Sequence, residues 1–267
     1  MDAPFPIRPL RIPDTLDAGL ETLRRQFFKL LAIAAILFIP WSAWTNLVMV
    51  QYAEARQDPA QVFEVLVVVL PIQLGTLVTI SPVYCAAMVR VLNASMLHRK
   101  PPSIWGAILF ALSRGPAIIF ASSIVMLAVF LGKMFFVLPG MFAEAAFLAV
   151  LPVLLLEQGN PLKAIGRAFE LSIKHFPKAI VLTMVVWAVE FSLGAVKFLI
   201  PETHIQALLT SVVQSCAYMI SMSLAVAFYL SSRAQSEHLD LDLMLLEIAR
   251  NTEAPPDEPT GWSPSPL

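Results

Sequence analysis

The chain has 267 residues, 58% of them hydrophobic and only 14% charged, with a mean hydropathy of +0.74. A water-soluble domain is about 45–50% apolar and about 25% charged, so this composition excludes an ordinary soluble globular protein and predicts membrane crossings. The formal net charge of −1 conceals a positional sorting of charge and gives no footing for nucleic-acid binding.

Residues 1–13 carry Pro4, Pro6, Pro9 and Pro13 and read as an irregular tail. Asp14 is placed to cap a helix in which Leu16, Leu20, Leu23 and Phe27 recur at helical spacing beside Arg24, Arg25 and Lys29. That pattern predicts an interfacial helix feeding into the first crossing. Asp14, Asp17 and Glu21 make this region too acidic for a signal-peptide n-region, so the first apolar run is expected to be kept. Span 1 is expected over 28–50, with Trp41, Trp44 and Tyr52 in its outer half, where amphipathic rings favour the headgroup level. Span 2 is expected over 62–92, and Pro71 and Pro82 predict a kink or a short unwound stretch.

A basic connector follows with Arg90, Arg99, Lys100 and Arg114, in which Ser103 caps a short helix bearing Ile104, Ile108, Leu109 and Leu112. Span 3 is expected over 115–137, Leu138-Pro139-Gly140 as a tight turn, and span 4 over 141–156, leaving the membrane at Glu157. Pro161 suits the first position of the next helix. One face of that helix carries Leu162, Ile165, Phe169, Ile173 and Phe176, flanked by Lys163, Arg167, Lys174 and Lys178. This is the pattern of a helix lying in the interface, and these four cations, with Arg99 and Lys100, are expected to contact anionic lipid headgroups.

Span 5 is expected over 179–200 and span 6 over 205–230, so that residues 14–232 form a six-span membrane domain. A cytoplasmic amphipathic helix is expected over 233–250, and the proline-bearing stretch 251–267 reads as disordered. With six spans both tails share one side, and all lysines and arginines except Arg56, Lys133 and Lys197 fall there. The positive-inside rule makes that side cytoplasmic. Gly106–Ser113 can be laid over Gly166–Ser172 with one gap, each stretch being followed by a proline. A parallel internal repeat and a chance likeness of two apolar stretches both account for this.

The chain resembles the membrane domain found fused to some glycerophosphodiester phosphodiesterases, and the stand-alone relatives of that domain. The likeness spans about residues 14–248. It is carried by LRRQFFKLLAIAAILFIP at span 1, SPVYCAAMVRVLNASMLHRKPPS through the first basic connector, LPG and LPVLLLEQGNPLKAIGRAFELS at the centre, and FYLSSRAQSEHLDLDLML toward the end. The resemblance implies a six-helix bundle in a prokaryotic cytoplasmic (inner) membrane. It does not imply phosphodiesterase activity, which belongs to a separate barrel domain that no part of this chain resembles. Relatives often carry arginine early in the fourth span, where this chain has Ala146, with Glu144 two residues before it.

Chemistry-bearing residues are few. His98, His175, His204 and His238 make no i, i+4 pair and have no cysteine or carboxylate set beside them, so no metal or cofactor is expected. Cys85 and Cys216 lie in apolar segments and read as small buried side chains. Glu190 falls about ten residues from either end of the expected span 5, near mid-depth, where an ionised carboxylate costs about 2.5–3.5 kcal/mol unless paired or wet. It reads either as a substrate- or proton-handling group in the bundle interior or as a paired structural glutamate. Glu144, Lys133 and Lys197 fall at similar depth near the outer interface and are expected to form an ion pair. In span 6, Gln214, Tyr218 and Ser221 share a face that is expected either to hydrogen-bond other helices or to line a pathway with Glu190 and with Gln73 and Thr76 beside the Pro71 kink.

The expectation is thus an all-α, polytopic six-helix transmembrane bundle with amphipathic interfacial helices on the cytoplasmic side. Its leading functional reading is a non-enzymatic accessory or assembly factor, with membrane lipids and either a membrane-protein partner or further copies of itself as partners. The alternative is a small permease or lipid-handling protein using Glu190 and the span 6 stripe.

Overall fold

A computed structural model of the chain describes residues 10–53, 67, 71–157, 159–195 and 204–237. Every element in it is helical, and no strand occurs among the described residues. The elements are α1 (Ile12–Leu37), α2 (Ile39–Ala53), α3 (Pro71–Met96), α4 (Ile104–Ser113), α5 (Gly115–Phe135), α6 (Val137–Ala146), α7 (Val150–Leu156), α8 (Pro161–Lys174), α9 (Phe176–Gly194) and α10 (His204–Glu237).

Five segments are long and apolar enough to cross a membrane: α3, α5, the α6–α7 run Val137–Leu156, α9, and the stretch Ile205–Ser236 of α10. A sixth is added if α1 and the start of α2, which meet at a 49° bend, count as one span. The bend lies at Phe38, two residues before Pro40, whose ring has no N–H to give and crowds the carbonyl one turn back. Helix α1 is continuous from Ile12 through Leu37, so the stretch expected to lie in the interface and the start of span 1 are one element. Its N-cap is Arg11, not Asp14; Asp14 sits in the first turn and accepts the Arg11 backbone N–H at 3.3 Å.

Helix α3 supplies the centre. From Ser81 to Leu92 all but Arg90 are buried. The chain accommodates Pro82 without a sharp bend: Thr76–Ile80 widens into a π turn, and the Ser81 N–H bonds the Thr76 carbonyl five residues back. The helix ends in a Schellman-type cap, with His98 in the left-handed region (φ 52°), its N–H on Ser95 and the Arg99 N–H on Ala94. The second central element is the last part of α10, where Ser223–Ser232 is buried throughout. Gly19 brings α1 against it, since a Cβ there would come within 2.9 Å of Leu224 Cδ2. Phe38, Tyr84 and Tyr218 tie α1, α3 and α10 together, Phe38 stacking on Tyr84 at 5.1 Å and meeting Tyr218 edge-on at 5.3 Å.

Helix α5 lies at the periphery: only Gly115, Ile118 and Ala121 of its residues are buried. Large apolar side chains stand in the open there and elsewhere, including Met134, Phe135, Phe136, Phe191 and Ile205. An apolar surface of this extent suits a hydrocarbon environment better than water.

Leu138-Pro139-Gly140 is not the turn between spans. The chain reverses at the single extended residue Phe136, and Leu138-Pro139-Gly140 forms the first turn of α6. Proline is tolerated there because the first N–H groups of a helix have no intrahelical partner. Gly140 then lets α6 lie against α5: a Cβ on it would meet Lys133 Cγ at 2.2 Å, and one on Gly132 would lie 3.0 Å from Gly140 Cα.

Ser103 caps α4 by accepting the Gly106 N–H at 3.1 Å. Asn160 caps α8 by accepting the N–H groups of Leu162 and Lys163, with Pro161 at the first helical position. Helix α10 runs unbroken to Glu237, so position 233 is not the start of a separate helix. The expectations for residues 1–9, most of 54–70, 196–203 (Lys197 included) and 238–267 lie outside the described residues.

Candidate functional site

Residues far apart in the sequence converge on two clefts near the beginning of α10. The first, about 200 Å³, lies between α9 and α10 and is lined by Glu190, Leu193, Thr210, Val213, Gln214 and Tyr218. The second, about 240 Å³, lies among α2, α3 and α10, with Ser42, Asn46, Gln73, Thr76, Gln214 and Tyr218 among its lining residues. Gln214 and Tyr218, one helical turn apart, belong to both and form the wall between them.

Local structure holds these side chains. The π turn sets Thr76 to accept the Trp41 indole N–H at 2.7 Å while its own hydroxyl donates to the Ile72 carbonyl. Asn46 donates to Ser211 at 3.0 Å, fixing α2 to α10. The Tyr84 hydroxyl donates to the Ser215 carbonyl at 3.4 Å, and Tyr218 sits with Ser81 and Gln214 at the cleft wall. Thr76 is expected at this site with Gln73, whereas sequence alone does not bring Trp41, Asn46, Ser211 and Ser81 to it. Of these, Ser211 lies on the polar stripe of α10.

Glu190 does not lie inside the bundle. Its side chain is exposed at the first cleft, and α9 ends at Gly194, so it stands one turn from the helix end rather than at its middle. Gln73, Gln214 and Tyr218 are brought together at the second cleft; Ser221 lines neither cleft.

A second polar cluster lies at the same end. Lys133 donates to Glu144 at 2.5 Å, the Trp187 indole N–H donates to the other Glu144 oxygen, and Lys133 Nζ stands 5.0 Å from the centre of the Trp187 ring. Trp187 is the member that sequence reasoning missed. At i, i+3 from Glu190 it puts the cluster and the first cleft on neighbouring faces of α9.

The opposite end is ionic. Glu157, in the short link between α7 and α8, accepts the Tyr229 hydroxyl at 2.9 Å and pairs with Arg233 at 3.5 Å and Arg167 at 3.7 Å. Arg167 and Lys174 also meet Glu170, at 3.6 and 2.8 Å, and these cations hold its carboxyl below the usual carboxylate range. His175, between α8 and α9, shares a 2.9 Å hydrogen bond with Ser236. Burial, with Lys178 and Lys174 nearby, pushes its pKa below the ordinary value.

Among the cations expected at headgroups, Lys163, Arg99 and Lys100 are exposed, and Arg167 and Lys174 are engaged by carboxylates. Lys178 is corrected outright. It is buried at 8% exposure and donates to the Ser231 hydroxyl at 2.6 Å and to the Leu10 carbonyl at 3.1 Å. The helical spacing that grouped it with Lys163 and Lys174 is interrupted at His175, so Lys178 belongs to α9 and turns inward.

Chemically, the described residues of the clefts offer hydroxyls, carboxamides and one carboxylate, with no histidine or cysteine among them. Among the described residues no group of three or more His, Cys, Asp or Glu side chains is placed to hold a metal ion. Such an arrangement can orient a ligand through hydrogen bonds and one charge. No family model, curated protein or solved structure matches this chain.

Proposed function

We propose that this is a six-span protein of a prokaryotic cytoplasmic membrane that binds a lipid or another small amphiphile without transforming it. Both tails and both basic connectors are assigned to the cytoplasmic side. The sorting of lysine and arginine supports that orientation. The six-span count is supported by the bent α1–α2 pair and by the likeness to the membrane domain of glycerophosphodiester phosphodiesterases.

One observation carries the functional reading. Gln73, Glu190, Gln214 and Tyr218, drawn from three helices, line two adjoining clefts that share a wall, with apolar side chains beside them. Polar side chains on membrane helices are retained where they meet other helices, a cavity or a ligand, not hydrocarbon. The clefts shift the weight from an accessory role toward amphiphile binding. The test is native mass spectrometry of the protein released from nanodiscs of membrane lipid. The wild type is expected to retain one lipid or small amphiphile, and the double variant Gln214→Leu/Tyr218→Phe to lose it. Equal adducts on both proteins sink the reading.

The accessory or assembly role stands second, on a separate observation. Helix α8 buries Ala164, Ala168 and Leu171 but leaves Leu162, Phe169 and Ile173 exposed beside Lys163. That face suits a lipid interface or a membrane-protein partner. A protein subunit co-purifying with the wild type, and lost when Leu162 and Phe169 become serine, supports this second role.

A further inference from the structure

We propose that the cleft between α9 and α10 takes a primary ammonium group carried by an amphiphile of the aminophospholipid kind, with the Glu190 carboxylate as its counter-charge. The proposal rests on the amphiphile-binding reading and names the ligand class.

The electrostatics select a cation. Among the described residues Glu190 is the charged side chain lining either cleft, and it forms no ion pair with any of them. Among the described residues the ionised groups that act on Glu190 are Glu144 and Lys133, which pair with each other at 2.5 Å. Among the described residues nothing compensates this carboxylate, so an anionic headgroup would meet a like charge and a cation its counter-charge.

Hydrogen bonding selects a primary amine. An ammonium group has three donors and no acceptor. The cleft offers a matching set of oxygens on Glu190, Gln214 and Thr210. A quaternary ammonium donates nothing and favours an aromatic cage, whereas among the described residues Tyr218 is the single aromatic side chain lining this cleft.

Position selects an amphiphile over a free amine. Leu193 and Val213 line the cleft beside the polar groups. Space is open around Gly194, where an added Cβ would meet nothing within 4 Å. Phe191 and Leu208, on the two helices that form the cleft, are exposed at 84% and 53%. An acyl chain has apolar surface to follow once the headgroup is seated.

The test uses the purified full chain in detergent and native mass spectrometry. The probes are phosphatidylethanolamine, phosphatidylglycerol, phosphatidylcholine, and phosphatidylethanolamine acetylated on nitrogen, all with matched acyl chains. The wild type is expected to retain phosphatidylethanolamine at least fivefold over the other three, and Glu190→Gln to reduce it to their level. A tenfold excess of free ethanolamine is expected to leave the lipid bound; displacement by it would assign the site to a free amine and overturn the lipid as source. Equal retention of the acetylated and free-amine lipids by the wild type overturns the ammonium assignment and leaves amphiphile binding standing. Retention of no lipid overturns both. An unchanged preference in Glu190→Gln overturns the role of Glu190. The acetylation comparison needs no variant, so it decides even where Glu190→Gln folds poorly.

Discussion

Lys178 holds three parts of the chain in one place: its ammonium group spans the Leu10 carbonyl and the Ser231 hydroxyl, while the Leu10 N–H donates to the same hydroxyl at 2.9 Å. Lys178→Met keeps the stem but leaves the Leu10 carbonyl without its donor, while the Ser231 hydroxyl keeps the Leu10 N–H; an orphaned buried group costs about 1–3 kcal/mol. The expected outcome is a lower thermal midpoint in detergent, with earlier proteolytic cleavage near the start of α1. A midpoint equal to wild type would remove the clasp from the account. His175 gives a pH signature. Its folded pKa lies below the ordinary 6.5, so as pH falls the unfolded chain takes up the proton first. Stability is therefore expected to be flat above neutrality, to fall as pH drops through about 6.5, and to level off once folded His175 is protonated too. His175→Gln should flatten that slope, as read from unfolding midpoints across pH 5–8. Glu170 acts in a separate, lower window, because its depressed pKa stabilises above 4.5 and that stability is lost as pH falls through and below this value. Its exposure keeps the effect small. Among these residues little was legible in advance. Lys178 has the same spacing as its exposed neighbours, and only the break at His175 sends it inward.

At the scale of elements, apolar runs and caps were readable because they depend on local chemistry: Ser103 and Asn160 accept the N–H groups that a helix start leaves free. Leu138-Pro139-Gly140 misled for a physical reason. The residues that make turns are also those that open helices, and glycine is equally the residue of close helix contact. Gly140→Ala separates the two roles. Its Cβ would land 2.2 Å from Lys133 Cγ and 3.0 Å from the Lys133 backbone nitrogen, so α5 and α6 must part. A loss of about 1–3 kcal/mol is expected, measured as a lower midpoint of unfolding. A turn glycine free of such contact would tolerate alanine at no cost. The π turn at Thr76–Ile80 was foreseen only as a disturbance near prolines. Its outcome, a widened turn that presents Thr76 to Trp41, depends on a neighbour 35 residues away.

For the whole molecule, the all-helical class followed from the long apolar runs, whereas the clefts did not, since they need the packing of α2, α3, α9 and α10. The orientation proposed above is checked by cysteine substitution with Cys85 and Cys216 replaced by serine. Phe136→Cys, at the link between α5 and α6, is expected to react with a membrane-impermeant thiol reagent in intact cells, and Lys163→Cys only after permeabilisation. The reverse pattern would invert the molecule. The Leu10–Ser231 hydrogen bond joins residues 221 positions apart. A ribosome adds about 5–20 residues each second, so roughly 10–45 s separate the synthesis of the two partners. Throughout that interval the first helix waits with its clasp unmade, so its start is held in place only once α10 has been made and has packed against it.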